Sequence, residues 1–199
     1  TAASTFDANG AGSDGGAVYA HKVLLTSINT ALFVKNSAQH GGALFLGFYA
    51  GIKLGKGGSF ISNHARSDGG ALAFEGFRYL SPDTEWASAN KGATRFVNNT
   101  CGANGGAISL MHSPSFLFDS DHIVTFSGNF AGISGGAVFL EDSEIGTIFR
   151  NVFFLNNSAQ GGGAVYAMAC GQVDYPTTFD NCNFTRNAAF TTGGAVDSS

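Results

Sequence analysis

The sequence predicts an all-β fold, a solenoid of stacked parallel strands, and three observations predict it. A unit typified by residues 33–46, FVKNSAQHGGALFL, recurs seven times in 199 residues, and self-similarity at a period of 20–50 residues is the signature of stacked repeats. One side of the repeat has a constant length while the other absorbs every insertion. The stretch after each Gly-Gly-Ala alternates constant apolar with variable positions, as a strand with one buried face does.

The phenylalanine and asparagine come first in each unit. The pairs are Phe6/Asn9, Phe33/Asn36, Phe60/Asn63, Phe96/Asn99, Phe126/Asn129, Phe154/Asn157 and Phe184/Asn187. Phe is read as core. The residues two before it (Ser4, Ala31, Gly58, Thr94, Val124, Val152 and Cys182) are mostly small and leave ring volume to fill. Asn is read as a turn residue whose amide bonds the amide in the turn above, because a buried amide must be satisfied and a stacked copy satisfies it.

The glycine pairs follow: Gly15 with Gly16, Gly41 with Gly42, Gly69 with Gly70, Gly105 with Gly106, Gly135 with Gly136, Gly162 with Gly163 and Gly193 with Gly194. From Asn to the first of these is 6 residues, or 5 in the units beginning at Phe33 and Phe154. Glycine suits a corner that needs positive φ or close approach of neighbouring turns. A phosphate cradle would need a helix after the glycines, and no helical pattern follows.

After Gly-Gly-Ala come Val18, Leu44, Leu72, Ile108, Val138, Val165 and Val196, and two further on Ala20, Leu46, Phe74, Leu110, Leu140, Ala167 and Ser198. Both sets are placed inside. Between them lie Tyr19, Phe45, Ala73, Ser109, Phe139, Tyr166 and Asp197, placed outside as a broken aromatic stripe. From the end of one unit to the next Phe is 13, 14, 22, 16, 14 and 17 residues, so insertions leave from one edge.

The whole chain, residues 1–199, reads as one domain, with units near 6–20, 33–46, 60–74, 96–110, 126–140, 154–167 and 184–198. Insertion loops are expected near 75–92, 111–122 and 168–183. The first contains the single tryptophan, so Arg78, Tyr79 and Trp86 form the candidate binding loop. The second holds Asp119, Asp121 and His122, a carboxylate pair without a third ligand at a useful spacing. The third is flanked by Cys170 and Cys182, a candidate disulfide, while Cys101 would stay free or buried. Asn98, Asn156 and Asn183 open Asn-x-Ser/Thr triplets and are candidate glycosylation sites.

Composition bounds the function. Charged residues are 12% of the chain, net charge is −4 without a basic cluster, and 19 phenylalanines accompany 29 glycines. Low charge with many aromatics argues against disorder, and the charge pattern argues against nucleic acid as partner. No 18-residue apolar run is present, so no membrane-spanning helix is expected. Both ends fall within or against a repeat, so an uncapped segment of a longer protein is expected.

Seven copies of Phe-x-x-Asn alternating with Gly-Gly-Ala-(Ile/Leu/Val) resemble the repeats of chlamydial polymorphic outer membrane proteins. Related repeats occur in large secreted or surface proteins of other microbes. The resemblance implies a right-handed parallel β-helix of about seven coils, exported and displayed outside the cell, with an adhesive role that the motif residues support. The expected function is therefore a non-enzymatic extracellular structural or adhesive module, at the outer membrane if the source is bacterial. Its partner would be a protein or glycan surface, or neighbouring subunits of an extracellular assembly. No cofactor or metal is expected. The alternative is a polysaccharide lyase or hydrolase of the pectin-lyase-like β-helix type, which needs carboxylates grouped on one strand face.

Overall fold

In the computed structural model the described residues are 4–22, 24–25, 30–48, 50–52, 57–76, 93–112, 117–118, 123–142, 147–169 and 176–198. Among them every element is a strand, every strand pairing is parallel, and no helix is long and apolar enough to cross a membrane. The chain is a parallel β-helix.

Each repeat contributes one strand to each of two seven-stranded sheets whose order follows the sequence. The Phe sheet contains Thr5–Asp7, Leu32–Val34, Ser59–Ile61, Thr94–Val97, Val124–Ser127, Val152–Leu155 and Asn183–Thr185. The corner sheet, named for the glycines before it, contains Val18–His21, Leu44–Gly47, Leu72–Glu75, Ile108–Met111, Val138–Glu141, Val165–Met168 and Val196–Ser198. Register is by motif: Phe6 pairs with Phe33, Phe33 with Phe60, and so on to Phe154 with Phe184.

A third, six-stranded sheet lies between the ladder asparagines and the glycine corners. Its strands are Ser37–Ala38, His64–Ala65, Thr100–Cys101, Phe130–Ala131, Ser158–Gly161 and Ala188–Thr192. Ala65, Cys101, Ala131 and Ala159 point inward as a small core separate from the main one. Small side chains suit this side, since they let it close over the ladder without displacing it.

Two of the stretches expected as insertion loops also carry strands. Leu117–Phe118 and Thr178–Asp180 join Ile148–Arg150 in a three-stranded sheet, and Leu24–Leu25 pairs with Gly51–Ile52. The solenoid has about five enclosed turns rather than seven. Asn36, Asn63, Asn99, Asn129 and Asn157 are fully buried, whereas Asn9 and Asn187, in the flanking turns, are not. Counting repeats overstates the enclosed body because an end turn has a neighbour on one side only.

Candidate functional site

The repeated residues meet in columns. All seven motif phenylalanines form one stack inside the helix, with neighbouring ring centroids 4.6 to 5.2 Å apart and interplanar angles of 2° to 9°. That spacing is the inter-strand distance of the sheet that carries them. Five of the rings, Phe33 to Phe154, are wholly buried.

Beside this stack runs an asparagine ladder. Asn99 shows the pattern: its backbone N–H and its side-chain Nδ2 both donate to Asn129 Oδ1 at 3.0 Å, and Nδ2 also donates to Phe60 O at 3.0 Å. Its own Oδ1 accepts the same two donors from Asn63 at 3.0 Å. The pattern continues through every step from Asn9 to Asn187. Pairing every group of a buried amide offsets its loss of hydration.

The residue before each ladder Asn adopts the left-handed conformation: Ala8, Lys35, Ser62, Asn98, Gly128, Asn156 and Arg186, with φ between 53° and 64°. Only one is glycine, although L-residues disfavour this conformation, and Lys22, His112, Asp142 and Ala169 adopt it too, directly after strands of the corner sheet. Directly before the ladder lie two of the sequon asparagines, Asn98 and Asn156, both exposed. The third, Asn183, is exposed on the Phe sheet and accepts a bond from Thr185 Oγ1 at 2.5 Å.

At the corner the two glycines have different reasons to be glycine, and the shared expectation of positive φ or close approach divides between them. Positive φ belongs to the first glycine alone. Gly135 has φ +66°, and a Cβ there would lie 2.2 Å from Val138 O in its own turn. Gly41, Gly69, Gly105 and Gly162 share this geometry. The second glycines, Gly42, Gly70, Gly106, Gly136 and Gly163, lack positive φ, so a corner conformation does not explain them. Contact with the next turn does. A Cβ on Gly42 would lie 2.1 Å from Gly70 O, one on Gly70 2.1 Å from Gly106 O, and one on Gly106 2.1 Å from Gly136 O. At Gly136 it would lie 2.2 Å from Gly163 O. In the last turn Gly193 is still tight, while Gly194 has open space.

Ahead of the corners runs a polar column that sequence reasoning missed. Asp68 Oδ1 accepts the backbone N–H and Nδ2 of Asn104, each at 3.1 Å, in the manner of the ladder. Its Oδ2 accepts Ser67 Oγ at 2.6 Å and lies 3.4 Å from His40 Nδ1. Only the repeat register reveals it, since the residue types differ from turn to turn.

A second missed feature is a short Phe/Asn column on the fourth side. Phe149 and Phe179 stack at 5.0 Å and meet Phe154 and Phe184 edge-on. Asn181 Nδ2 donates to Asn151 Oδ1 at 2.6 Å, and Arg150 pairs with Asp180 at 2.9 Å. The shared pattern Phe-x-Asn-x-x-Phe, in FRNVFF and FDNCNF, was the available signal.

The expected outer aromatic stripe needs correction. Tyr19 is 56% exposed and stacks on Phe45 at 5.6 Å, and Phe139 stacks on Tyr166 at 5.8 Å. Yet Phe45, Ala73, Ser109 and Phe139 are buried, although they lie outside the main core. Alternation assigns a side of the strand; it does not say that the side meets water.

Arg78, Tyr79, Trp86, Asp119, Asp121, His122 and Cys170 lie outside the described residues. Cys182 carries a free thiol whose Sγ donates to Phe149 O at 3.3 Å, and burial pushes its pKa up. Cys101 is also free, and burial, reinforced by the nearby Asp68 charge, pushes its thiol up to about 12. Among the described residues no three His, Cys, Asp or Glu side chains group to hold a metal ion.

The Chlamydia polymorphic membrane protein repeat matches residues 3–21, 93–110, 123–141 and 151–168. The chain carries polymorphic membrane protein repeats. Two proteins of Chlamydia pneumoniae are similar to it. "Probable outer membrane protein pmp6" is 30% identical over 148 residues, covering 68% of this chain and 12% of the relative. "Probable outer membrane protein pmp7" is 32% identical over 148 residues, covering 69% and 14%. The chain therefore spans about one-eighth of the length of these relatives. No solved structure matches it. The four matched repeats include Phe6, Phe96, Phe126 and Phe154, members of the single ring stack. Phe33, Phe60 and Phe184 occupy the same column, so the repeat geometry extends beyond the matched segments.

Proposed function

We propose that this chain is a non-enzymatic structural and adhesive β-helix module at the cell surface, the outer membrane in a bacterium. It presents loops and an outer face to a protein or glycan partner, or to neighbouring subunits. One observation carries the reading. The repeated motif residues are used up in building and stacking the turns: the rings by stacking, the amides by the ladder, the first glycine by its corner and the second by close approach to the next turn. Residues that vary from turn to turn include exposed ones, Tyr19, Phe130 and Ile133 among them, and specificity would reside there. The similarity to proteins named as probable outer membrane proteins supports the location.

Attachment of chain-coated beads to cultured epithelial cells tests the proposal. Attachment by folded but not heat-unfolded chain is expected. Equal attachment by both would remove the adhesive reading, and reproducible cleavage of an acidic polysaccharide by the chain would remove the non-enzymatic one.

Two smaller proposals rest on the same extracellular setting. A Cys170–Cys182 bridge would replace the Cys182 thiol's bond to Phe149 O and close the loop between them, and non-reduced peptide mapping would show the linked pair. Glycan transfer to Asn98, Asn156 or Asn183 would appear as added mass on the corresponding peptides of protein from its native source.

A further inference from the structure

Three strongly exposed apolar side chains gather on one side of the helix. Phe130 (43% exposed), Ile133 (50%) and Phe190 (81%) all belong to the short-strand sheet or the turn leaving it. Phe130 is flanked in register by Thr100 in one neighbouring strand and Ser158 in the other. The Ile133 carbonyl accepts the N–H groups of Gln160 and Gly161 at 3.0 Å, which fixes the Ile133 turn against the next strand. The strands bearing Phe130 and Phe190 are two spacings apart, about 10 Å.

Charge is missing from this surface. None of the strands Thr100–Cys101, Phe130–Ala131, Ser158–Gly161 and Ala188–Thr192 contains an acidic or basic residue. Outward polar groups beside the rings are hydroxyls (Thr100, Ser158) and an amide (Gln160), which both donate and accept. Among the described residues, ionisable groups return at the margins: exposed His64 and Arg66 on one side, exposed Arg186 ahead of Ala188–Thr192, and Asp197, whose carboxylate accepts from Thr192 Oγ1.

The patch is also small. The four strands, 2, 2, 4 and 5 residues long, span roughly 200 Å² from strand geometry, well short of the ~800 Å² per partner of a stable protein interface. We propose that this face binds an uncharged glycan. A sugar ring has an apolar C–H face that suits the Phe130 and Phe190 rings, and a rim of hydroxyls that suits neutral donors and acceptors. A charged polymer would find no counter-charge within these four strands, and a protein would find too little apolar area for the core of a stable interface. The inference narrows the adhesive reading to one face and one class of partner, and it rests on that reading for its biological meaning only.

The test presents the full chain to immobilised neutral oligosaccharides of glucose, galactose and N-acetylglucosamine, with heparin as the charged comparison. Retention on at least one neutral glycan is expected, insensitive to salt. Phe130→Ala and Phe190→Ala should each weaken it about ten-fold with an unchanged melting temperature, whereas Tyr19→Ala should leave it intact. Retention on no neutral glycan, retention on heparin alone that salt abolishes, or retention unaffected by either phenylalanine change would overturn the proposal. If beads coated with the double variant still attach to cells, the glycan assignment falls and the adhesive reading survives. Intact glycan binding without cell attachment removes the adhesive reading alone.

Discussion

Asn99 Nδ2 and the Asn99 backbone N–H converge on one oxygen, Asn129 Oδ1, each at 3.0 Å. Removing the Asn99 side chain strands Asn63 N–H, Asn63 Nδ2, Phe60 O and Asn129 Oδ1 with fewer partners in a buried site. Asn99→Ala is therefore expected to lose ~1–3 kcal/mol of stability in urea unfolding. Asn9→Ala should lose less, because Asn9 is exposed. Equal losses at the two positions would show that the ladder is not the source.

The second glycine of each corner faces the following turn. Gly136→Ala places a methyl 2.2 Å from Gly163 O, while Gly194→Ala meets nothing within 4 Å. The first is expected to lower the melting temperature sharply or prevent folding. The second should leave it within error of the unchanged chain, as circular dichroism melts would show.

The Cys101 thiol is held protonated by burial and by the Asp68 charge, with its folded pKa at about 12, above its ordinary value. A group raised in the folded state contributes stability that is full below the unfolded pKa and is lost as pH rises through the folded one. Stability should thus fall from about pH 9 upward. Cys101→Ala, which matches Ala65 and Ala131 in the neighbouring strands, should flatten that alkaline fall. Native Cys101 should also resist a maleimide at neutral pH until the chain is unfolded.

Phe149 is wholly buried in the fourth-side column, and Phe149→Ala is expected to cost ~3–5 kcal/mol. Asp180→Asn removes the exposed partner of Arg150 and should cost under ~1 kcal/mol. Paired chemical-denaturation curves would separate the two. A larger effect at Asp180 would mean that the exposed ion pair, rather than the rings, anchors that side.

The Phe stack, the Asn ladder and the glycine corners were legible in the sequence because each repeats a residue type at fixed spacing. Phe96 and Asn99 needed no more than their six copies elsewhere. The division of labour within a corner was less legible. Gly105 and Gly106 look alike as letters, and only the coordinates separate a backbone that turns from one that touches its neighbour. The short-strand sheet was not legible: two-residue strands such as Ser37–Ala38 and Phe130–Ala131 are too brief to show alternation. The fourth-side column of Phe149 and Phe179 was hidden for another reason, since it has few copies and sits where the repeat varies in length. Burial of Phe45 and Phe139 depends on what lies over a sheet face, and periodicity along a strand carries no such information.

Because each ladder amide engages only the turns next to it, force along the chain would not be shared by the whole body at once. Tension would peel the rod a turn at a time. Each release would free about 30 residues, on the order of 100 Å of extended chain, while the turns beyond kept their stack. A surface attachment built this way would yield by lengthening in steps before it let go.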